Sequence, residues 1–293
     1  MGQTMIEKIL SAHAGHAVTP GEIADVTIDA RLARDFGGAN VVKNLRENQL
    51  GVEDPTKTFF TFDCNPTGSD QKYATNQQVC RLFAREHGIR VYDIDQGIGT
   101  HLAIDDGLAV PGATLVSTDS HANILGSIGA FGQGMGDVDI AHAWAYGRVW
   151  FKVPPTVRLV LTGRPSPRAG AKDLVLAVLR QMGANGLLGM AAEFYGDIVD
   201  ELDLSARVTM ASMATEMAGI IVLFPPNRAV LEHCEAAAGR RIEPTLADGD
   251  AGYVRTIEID VTDLEPLISR PDHPEDVVAV AEVAGTKIGS AFI

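Results

Sequence analysis

Patterns typical of β-strands alternate with patterns typical of α-helices along almost the whole chain. Residues 57–62 form an aromatic, strand-favouring run, and residues 69–87 form a helix pattern that Gly88 ends. Residues 90–94 then favour a strand again. Strands that alternate with helices in this way predict parallel sheets covered by helices, which is a three-layer α/β fold.

The remaining elements follow the same alternation. The first helix begins at a capping box formed by Thr4 and Glu7 and ends at Gly15, and alternating residues over 26–30 predict a strand. Further strands are predicted at 114–118, 157–161, 220–224 and 255–261, and further helices at 40–47, 171–182 and 228–238. Adjacent prolines at 154 and 155 predict a boundary between a first α/β domain, residues 1–154, and a second, residues 155–293. Residues 287–293 favour the start of a buried strand, so we expect the natural polypeptide to continue.

Charge and cysteine content restrict the classes of partner. The 293 residues carry a formal net charge of −14. The chain therefore lacks the excess of basic residues with which proteins bind nucleic acids or anionic membranes. No segment has the ~20 apolar residues of a membrane helix, and no signal peptide is visible. The scattered Cys64, Cys80 and Cys234 cannot form a paired disulfide framework. We therefore expect a cytoplasmic protein without nucleic-acid or membrane partners.

Polar side chains follow several predicted strands. Asp63 follows the strand at 57–62, and an Asp-Ser-His triplet follows the strand at 114–118. The carboxyl ends of parallel strands share one edge of a sheet, where active sites gather, and a carboxylate beside an imidazole suits acid–base chemistry or anion binding. The candidate residues are Asp63, His101 in a loop after Gly99, Asp119, Ser120, His121 and Glu216.

Other chemistries have weaker support in the sequence. His101, Asp119 and His121 are also compatible with a mononuclear metal hydrolase, although no HExxH or CxxC motif accompanies them. The dense glycines between residues 126 and 136 match no phosphate-binding motif and indicate close backbone packing or a tight turn. The Cys64 thiol follows an acidic residue, which raises a thiol pKa, so we expect it to be unreactive.

Several motifs occur in a defined order. The longest is GATLVSTDSH at 112–121, followed by the glycine-rich stretch 126–136 and VWFKVP at 149–154. The others are TMIEKIL at 4–10, FD at 62–63, GIGTH at 97–101, and MATE at 213–216 leading to FPPN at 224–227. Together these motifs resemble large subunits of the aconitase family, in the branch of 3-isopropylmalate dehydratase and homoaconitase. The resemblance covers nearly the whole chain.

This resemblance implies a fold and a reaction. The fold would be three-layer α/β domains of the aconitase iron–sulfur-domain type, here the first two domains only. The reaction is the dehydration and rehydration of a small hydroxy-dicarboxylate, such as an alkylmalate in leucine biosynthesis. A [4Fe-4S] cluster polarises the hydroxyl, and a swivel-domain small subunit supplies a serine base. By matching positions, the resemblance implies that His101 pairs with Asp119, that His121 pairs with Glu216, and that Ser120 contacts a substrate carboxylate. Asp35, in the early loop near the site, is likewise assigned to substrate binding.

The sequence also departs from the family pattern. Cys64 stands where the family has a histidine that protonates the departing hydroxyl, Ser212 replaces a usual asparagine, and Ala122 replaces a threonine. The early loop reads Asp35-Phe36-Gly37 instead of Asp-x-Thr, and Arg34 before it is either an added carboxylate clamp or a surface arginine. We interpret the changes as an altered substrate or as weakened dehydratase chemistry.

The cluster ligands are expected elsewhere. The family's three ligand cysteines would follow residue 293, so we expect no cluster in this chain, which resembles the N-terminal part of a longer large subunit. Alone it should bind carboxylates weakly and catalyse nothing. A non-catalytic paralogue that acts as a binding or assembly module is the alternative.

Overall fold

The computed structural model describes residues 2–67 and 69–292. The strands are β1 (Ile23–Thr27), β2 (Ala30–Arg34), β3 (Thr58–Thr61), β4 (Arg90–Tyr92), β5 (Thr114–Ser117), β6 (Phe131–Gly134), β7 (Arg148–Lys152), β8 (Thr156–Thr162), β9 (Ala191–Tyr195), β10 (Ile221–Leu223), β11 (Arg255–Asp260), β12 (Leu267–Ser269) and β13 (Val277–Ala279). The α-helices are α1 (Met5–Ala14), α2 (Gly38–Glu47), α3 (Gln71–His87), α4 (Gly99–Asp105), α5 (Asp137–Tyr146), α6 (Ala171–Met182), α7 (Asp197–Glu201), α8 (Leu204–Ser212) and α9 (Arg228–Ala238). Short 3-10 helices include Ser120–Ile128 and Thr215–Met217.

Two parallel sheets organise these elements, as the alternation predicted. The first has the strand order β4-β3-β2-β5-β6, and the second has the order β10-β9-β8-β11. Antiparallel pairs β1-β7 and β12-β13 complete the strand pairing. In the first sheet the chain leaves β2 toward β3 and β4, then returns to place β5 on the other side. The carboxyl ends of β2 and β5 therefore form a topological switch point, where α/β sheets bind ligands.

Most predicted elements are confirmed, and three differ from the prediction. The predicted strand over 26–30 is in fact two strands, because Asp29 turns the chain by bonding Thr114. His101 lies in α4 and not in a loop, since the Asp63 carboxylate accepts a hydrogen bond from the Gly99 amide at the start of that helix. Residues 287–292 are exposed and contain no strand, so the predicted buried strand is wrong.

The glycines between 126 and 136 serve close backbone packing, as expected. A Cβ atom on Gly126 would lie within 3.0 Å of the Val222 carbonyl group, and a Cβ on Gly132 would lie equally close to the Ala122 carbonyl group. Gly134 approaches the backbone of Asp119 in the same way. The stretch thus lets β6 lie beside β5 directly beneath the Asp-Ser-His segment.

Elements from both halves of the chain share buried contacts. Glu193 on β9 is fully buried, and its carboxylate accepts hydrogen bonds from the Met5 amide at 2.6 Å and from the hydroxyls of Tyr195 and Tyr253 at 2.7 and 2.6 Å. Burial raises the pKa of Glu193, against the effect of the two tyrosine hydroxyls. Cys234 on α9 also belongs to the core of the first sheet. The division into domains at residues 154 and 155 stays a prediction.

Within the described ranges, no helix is long and apolar enough to cross a membrane.

The last turn of α1 carries a histidine whose two ring nitrogens both face acceptors. His13 contacts the Ile9 carbonyl through Nδ1 and the Asp29 carboxylate through Nε2, each at 2.8 Å. Burial alone would lower the pKa of His13, but the hydrogen bonds with Asp29 and Ile9 outweigh it and raise the pKa above 6.5. The pKa of Asp29 is lowered, because hydrogen bonds from His13 and Thr114 outweigh the effect of its burial. When both ring nitrogens carry a proton, the ring joins α1 to the turn between β1 and β2.

We expect this ion pair to make stability depend on pH. A raised histidine pKa contributes stability that is fully present below pH 6.5 and is lost as pH rises through the folded-state value. The lowered pKa of Asp29 contributes stability that is lost as pH falls through it. Urea unfolding of the wild type and of His13→Gln should differ most in mildly acidic solution and converge at alkaline pH. A difference that is constant with pH would contradict the assignment.

Candidate active site

An arginine joins two acidic residues at the switch point of the first sheet. Arg34, the last residue of β2, donates from Nε to Asp63 Oδ1 at 2.7 Å, and its Nη1 lies 3.0 Å from Asp119 Oδ2. The two carboxylates are 4 % and 10 % exposed, and the Arg34 side chain is 21 % exposed. Burial alone would lower the pKa of Arg34, but the charges of Asp119 and Asp63 raise it. Among the hydrogen bonds of the described residues, Nη2 of Arg34 has no partner.

Asp63 is held on both sides. Its Oδ1 accepts from Arg34, while its Oδ2 accepts from the Gly99 amide at 2.6 Å, at the start of α4. Both oxygens are thus used within the protein. Asp63 fixes the position of α4, and with it the position of His101, relative to β2.

Asp35 lies below the surface of the site. It is fully buried, and its carboxylate accepts hydrogen bonds from the backbone amides of Cys64 and Asn65 at 3.1 and 3.4 Å and from the Gln77 side chain at 2.9 Å. Because these donors occupy it and no surface of it is exposed, Asp35 holds the loop after β3 in place.

The Cys64 thiol lies among acidic groups. Its Sγ is 3.7 Å from Asp63 Oδ1, and its pKa is raised to about 12, first by burial and further by Asp35 and Asp63, although Arg34 acts in the opposite direction. The raised value agrees with the expected unreactive thiol. At neutral pH the group is a protonated, weak hydrogen-bond donor.

We expect Cys64 to react slowly with alkylating reagents. The thiolate is the nucleophile, and a pKa of about 12 leaves very little of it at mildly alkaline pH. Alkylation by iodoacetamide should be at least ~100-fold slower than that of a free cysteine with an ordinary pKa. Mass spectrometry of Cys64 in a Thr75→Cys variant provides the comparison, since Thr75 lies on the exposed face of α3. Equal rates at the two positions would contradict the raised pKa.

The Asp-Ser-His segment meets Glu216 above the end of β5. Asp119 caps the 3-10 helix Ser120–Ile128 by accepting the His121 amide at 3.1 Å. The Ser120 hydroxyl lies 3.2 Å from His121 Nδ1, and Glu216 Oε1 lies 4.0 Å from His121 Nε2. The His121 side chain is 47 % exposed and Glu216 is 31 % exposed. The ring can therefore exchange a proton with a molecule bound at the surface while the carboxylate faces its other nitrogen.

His101 does not pair with Asp119. In the part of the chain that the structure describes, no hydrogen bond or ion pair joins them, because Asp119 is bonded to Arg34 instead. His101 is exposed and lines a cavity of about 510 Å³ between α4 and α8, with Ile104 and Val208 among its walls.

The metal-hydrolase alternative fails on geometry. Across residues 2–67 and 69–292, the His, Cys, Asp and Glu ligand atoms that come within 4.8 Å of one another in a group of three are those of Asp35, Asp63 and Cys64. His101, Asp119 and His121 do not form such a group. Asp35 and Asp63 are moreover occupied by protein donors.

Sequence reasoning missed two groups that position the site. The Gly99 amide fixes Asp63, and the Gln77 side chain, which is 4 % exposed, fixes Asp35. A backbone amide leaves no sequence signal. A glutamine on the buried face of α3 could have been noticed as a polar residue at an apolar position.

Comparison with known proteins indicates the same family as the sequence motifs. Residues 7–291 match the sequence profile described as Aconitase family (aconitate hydratase). The chain belongs to the aconitase family. It is 37 % identical over 297 residues to the 3-isopropylmalate dehydratase large subunit 1 of Methanopyrus kandleri, covering 100 % of this chain and 71 % of that protein.

A second curated relative is similar at the same level, and one solved structure aligns more weakly. Identity is 35 % to a probable methanogen homoaconitase large subunit of Methanothermobacter thermautotrophicus, covering 99 % of this chain and 69 % of that protein. A crystal structure of Thermococcus kodakaraensis aconitase X in its holo-form aligns with a TM-score of 0.46 and 14 % identity over 81 % of this chain and 57 % of that one.

The cysteines of this aconitase-family chain do not suit a [4Fe-4S] cluster, which needs grouped thiolates. Cys80 and Cys234 are fully buried, and burial raises their pKa values to about 12 and about 11. Cys64, with its raised pKa, is not grouped with either of them among the described residues. Ser212, which stands at the family's asparagine position, donates its hydroxyl to the Thr209 carbonyl of its own helix. The residues present therefore do not fit the cluster.

Proposed function

We propose that this chain supplies substrate-binding and acid–base residues of a hydro-lyase that dehydrates and rehydrates a small hydroxy-dicarboxylate. The observation that carries the proposal is the arrangement of His121 between Ser120 and Glu216, with Asp119 joining the His121 segment to Arg34 at the switch point. Such a site places a proton-transferring ring beside a cationic group that can bind a carboxylate.

The proposed roles follow from the contacts. His121 moves a proton at Nδ1, beside the Ser120 hydroxyl, and Glu216, 4.0 Å from Nε2, stabilises the positive charge that the ring then carries. The exposed Ser120 hydroxyl donates to a substrate carboxylate, and the free Nη2 of Arg34 supplies a second donor. Because two carboxylates already hold Arg34 through Nε and Nη1, only Nη2 is available to the substrate, and Arg34 does not bind a carboxylate in bidentate fashion.

The structure supports a narrower role for the other candidates. Asp63, Asp35 and Asp119 use their oxygens within the protein and act as positioning residues. His101, on the exposed face of α4, lines the neighbouring cavity and is assigned to the catalytic set by family resemblance alone.

The substrate class follows from the family and from the residues around the site. Relatives are named for 3-isopropylmalate dehydratase and homoaconitase. Phe36, two residues after Arg34, and Ile98, next to Gly99, are 63 % and 55 % exposed. Apolar surface beside carboxylate-binding groups suits an alkyl-substituted malate.

The complete enzyme needs parts beyond these residues. The [4Fe-4S] cluster that the family implies would take its ligands from other residues, since the described cysteines do not fit it. The relatives are named large subunits, and we propose a swivel-domain small subunit as partner and a cytoplasmic location, which three free thiols support. The 293-residue chain alone should bind carboxylates weakly and show no turnover.

The test is an anaerobic assay of the complete gene product together with its small subunit. We expect the complex to dehydrate 3-isopropylmalate or a related hydroxy acid. The reaction is monitored through the ultraviolet absorbance of the unsaturated product. His121→Gln and Glu216→Gln should each lower kcat by ~100-fold or more, the usual contribution of general acid–base catalysis. His16→Gln is the matched control, because His16 and Glu22 form an exposed pair at 2.8 Å near the end of α1.

Three results would contradict the proposal. One is a folded, iron-loaded complex that turns over no hydroxy-dicarboxylate, which would favour the non-catalytic binding module. The second is unchanged turnover in His121→Gln. The third is turnover by the iron-free 293-residue chain alone.

A further inference from the structure

A buried asparagine connects the segment that carries His121 to the segment that carries Glu216. Asn123, on the 3-10 helix Ser120–Ile128, is 4 % exposed, and its Nδ2 donates to the Thr215 hydroxyl at 2.9 Å across 92 positions of sequence. Thr215 begins the 3-10 helix Thr215–Met217, so Glu216 is the next residue.

The turn that holds Glu216 is packed into the core of the second sheet by the fully buried Ala214 and Met217. Its preceding residue Ala214 gives no side-chain cap, and Ala218 at its end adopts a left-handed backbone with φ of 56°, which is unfavourable for a residue with a Cβ. The Met217 carbonyl accepts from the Leu187 amide. Among the described residues, the Asn123–Thr215 contact is the side-chain hydrogen bond that joins this turn to the 3-10 helix with His121. The contact thus ties the turn that carries Glu216 directly to the segment that carries His121.

Two buried acceptors near this contact have no partner. Within the described part of the chain, Asn123 Oδ1 and Glu216 Oε2 are both buried and lack a hydrogen bond. A buried acceptor without a partner destabilises the folded state, so a residue kept only for stability would not favour this arrangement. The presence of Asn123 is explained if its amide, by donating to Thr215, positions the segment that carries Glu216.

We infer that Asn123 is a positioning residue that acts through Thr215 to hold Glu216 opposite His121. This inference rests on the proposed function of the His121–Glu216 pair. The Asn123 amide does not contact substrate in this role. It fixes the turn 214–218 so that the carboxylate remains within reach of His121 Nε2 when the ring gains a proton.

The test compares two changes at one position of the complete enzyme with its small subunit. Thr215→Val keeps the size of the side chain but removes the hydroxyl that accepts the hydrogen bond, whereas Thr215→Ser keeps the hydroxyl. We expect Thr215→Val and Asn123→Ala to lower kcat at least ~10-fold with little change in KM, and Thr215→Ser to restore most of kcat. Thr75→Val removes an exposed hydroxyl that bonds only within α3 and serves as control.

A double-mutant cycle separates positioning from general stability. If Asn123 acts through Glu216, Asn123→Ala should have no further effect on kcat in the Glu216→Gln background. Independent, multiplying losses, or a loss of Tm with unchanged kcat, would overturn the inference. If the wild type turns over no hydroxy acid, the proposed function has failed. The inference is then decided by the crystal structure of Thr215→Val, where an unchanged separation of His121 and Glu216 would overturn it.

Discussion

Replacing Arg34 with glutamine should lower the free energy of unfolding by about 3 kcal/mol, because it leaves two buried carboxylates without a positive partner. Asp63 and Asp119 are 4 % and 10 % exposed, and Arg34 contacts both within 3.0 Å. Removing one partner of a buried ion pair is more harmful than never having formed the pair. Urea unfolding followed by circular dichroism measures the change.

Two comparisons make this prediction specific. Arg46→Gln breaks an exposed pair with Glu86 and should change stability by less than about 1 kcal/mol. In an Asp63→Asn background, Arg34→Gln should have a smaller effect, since one of the two charges is already gone. Equal losses from Arg34→Gln in both backgrounds would show that Arg34 does not bridge the carboxylates.

Replacing Gly126 with alanine should destabilise the fold by about 3 kcal/mol or more, at the upper end of the effects of overpacking. The added Cβ would lie within 3.0 Å of the Val222 carbonyl group, which belongs to the backbone of β10 and cannot rotate away. The two segments would have to separate, and this would also disturb the segment that carries His121.

The matched control is a glycine with free space around it. A Cβ on Gly51 meets no atom within 4 Å, and its backbone is not left-handed. Gly51→Ala should therefore leave the unfolding midpoint unchanged or raise it slightly, since alanine reduces the entropy of the unfolded chain. If Gly126→Ala unfolds at the same urea concentration as Gly51→Ala, the close packing of Gly126 against β10 is wrong.

The sequence determined the fold class and most elements because these depend on local patterns. The capping box at Thr4, the glycines after α1 and α3, and the alternation of strands and helices are recorded in neighbouring residues. The order of motifs also identified the aconitase family before any geometry was known. Glycine density predicted close packing correctly, although which carbonyls the glycines approach could not be read from the sequence.

The tertiary structure decided which polar groups meet. His101 and Asp119 were expected to pair, yet Asp119 is held by Arg34, whose role the sequence left open between a carboxylate clamp and a surface residue. Asp35 was expected to contact substrate and is fully buried. The residues that form such contacts are separated by between 29 and 92 positions in the sequence, and no local pattern records them. The sequence thus determined what each segment forms. The meeting of strand ends at the switch point decided which charges are paired there, because an unpaired charge is costly where it is buried.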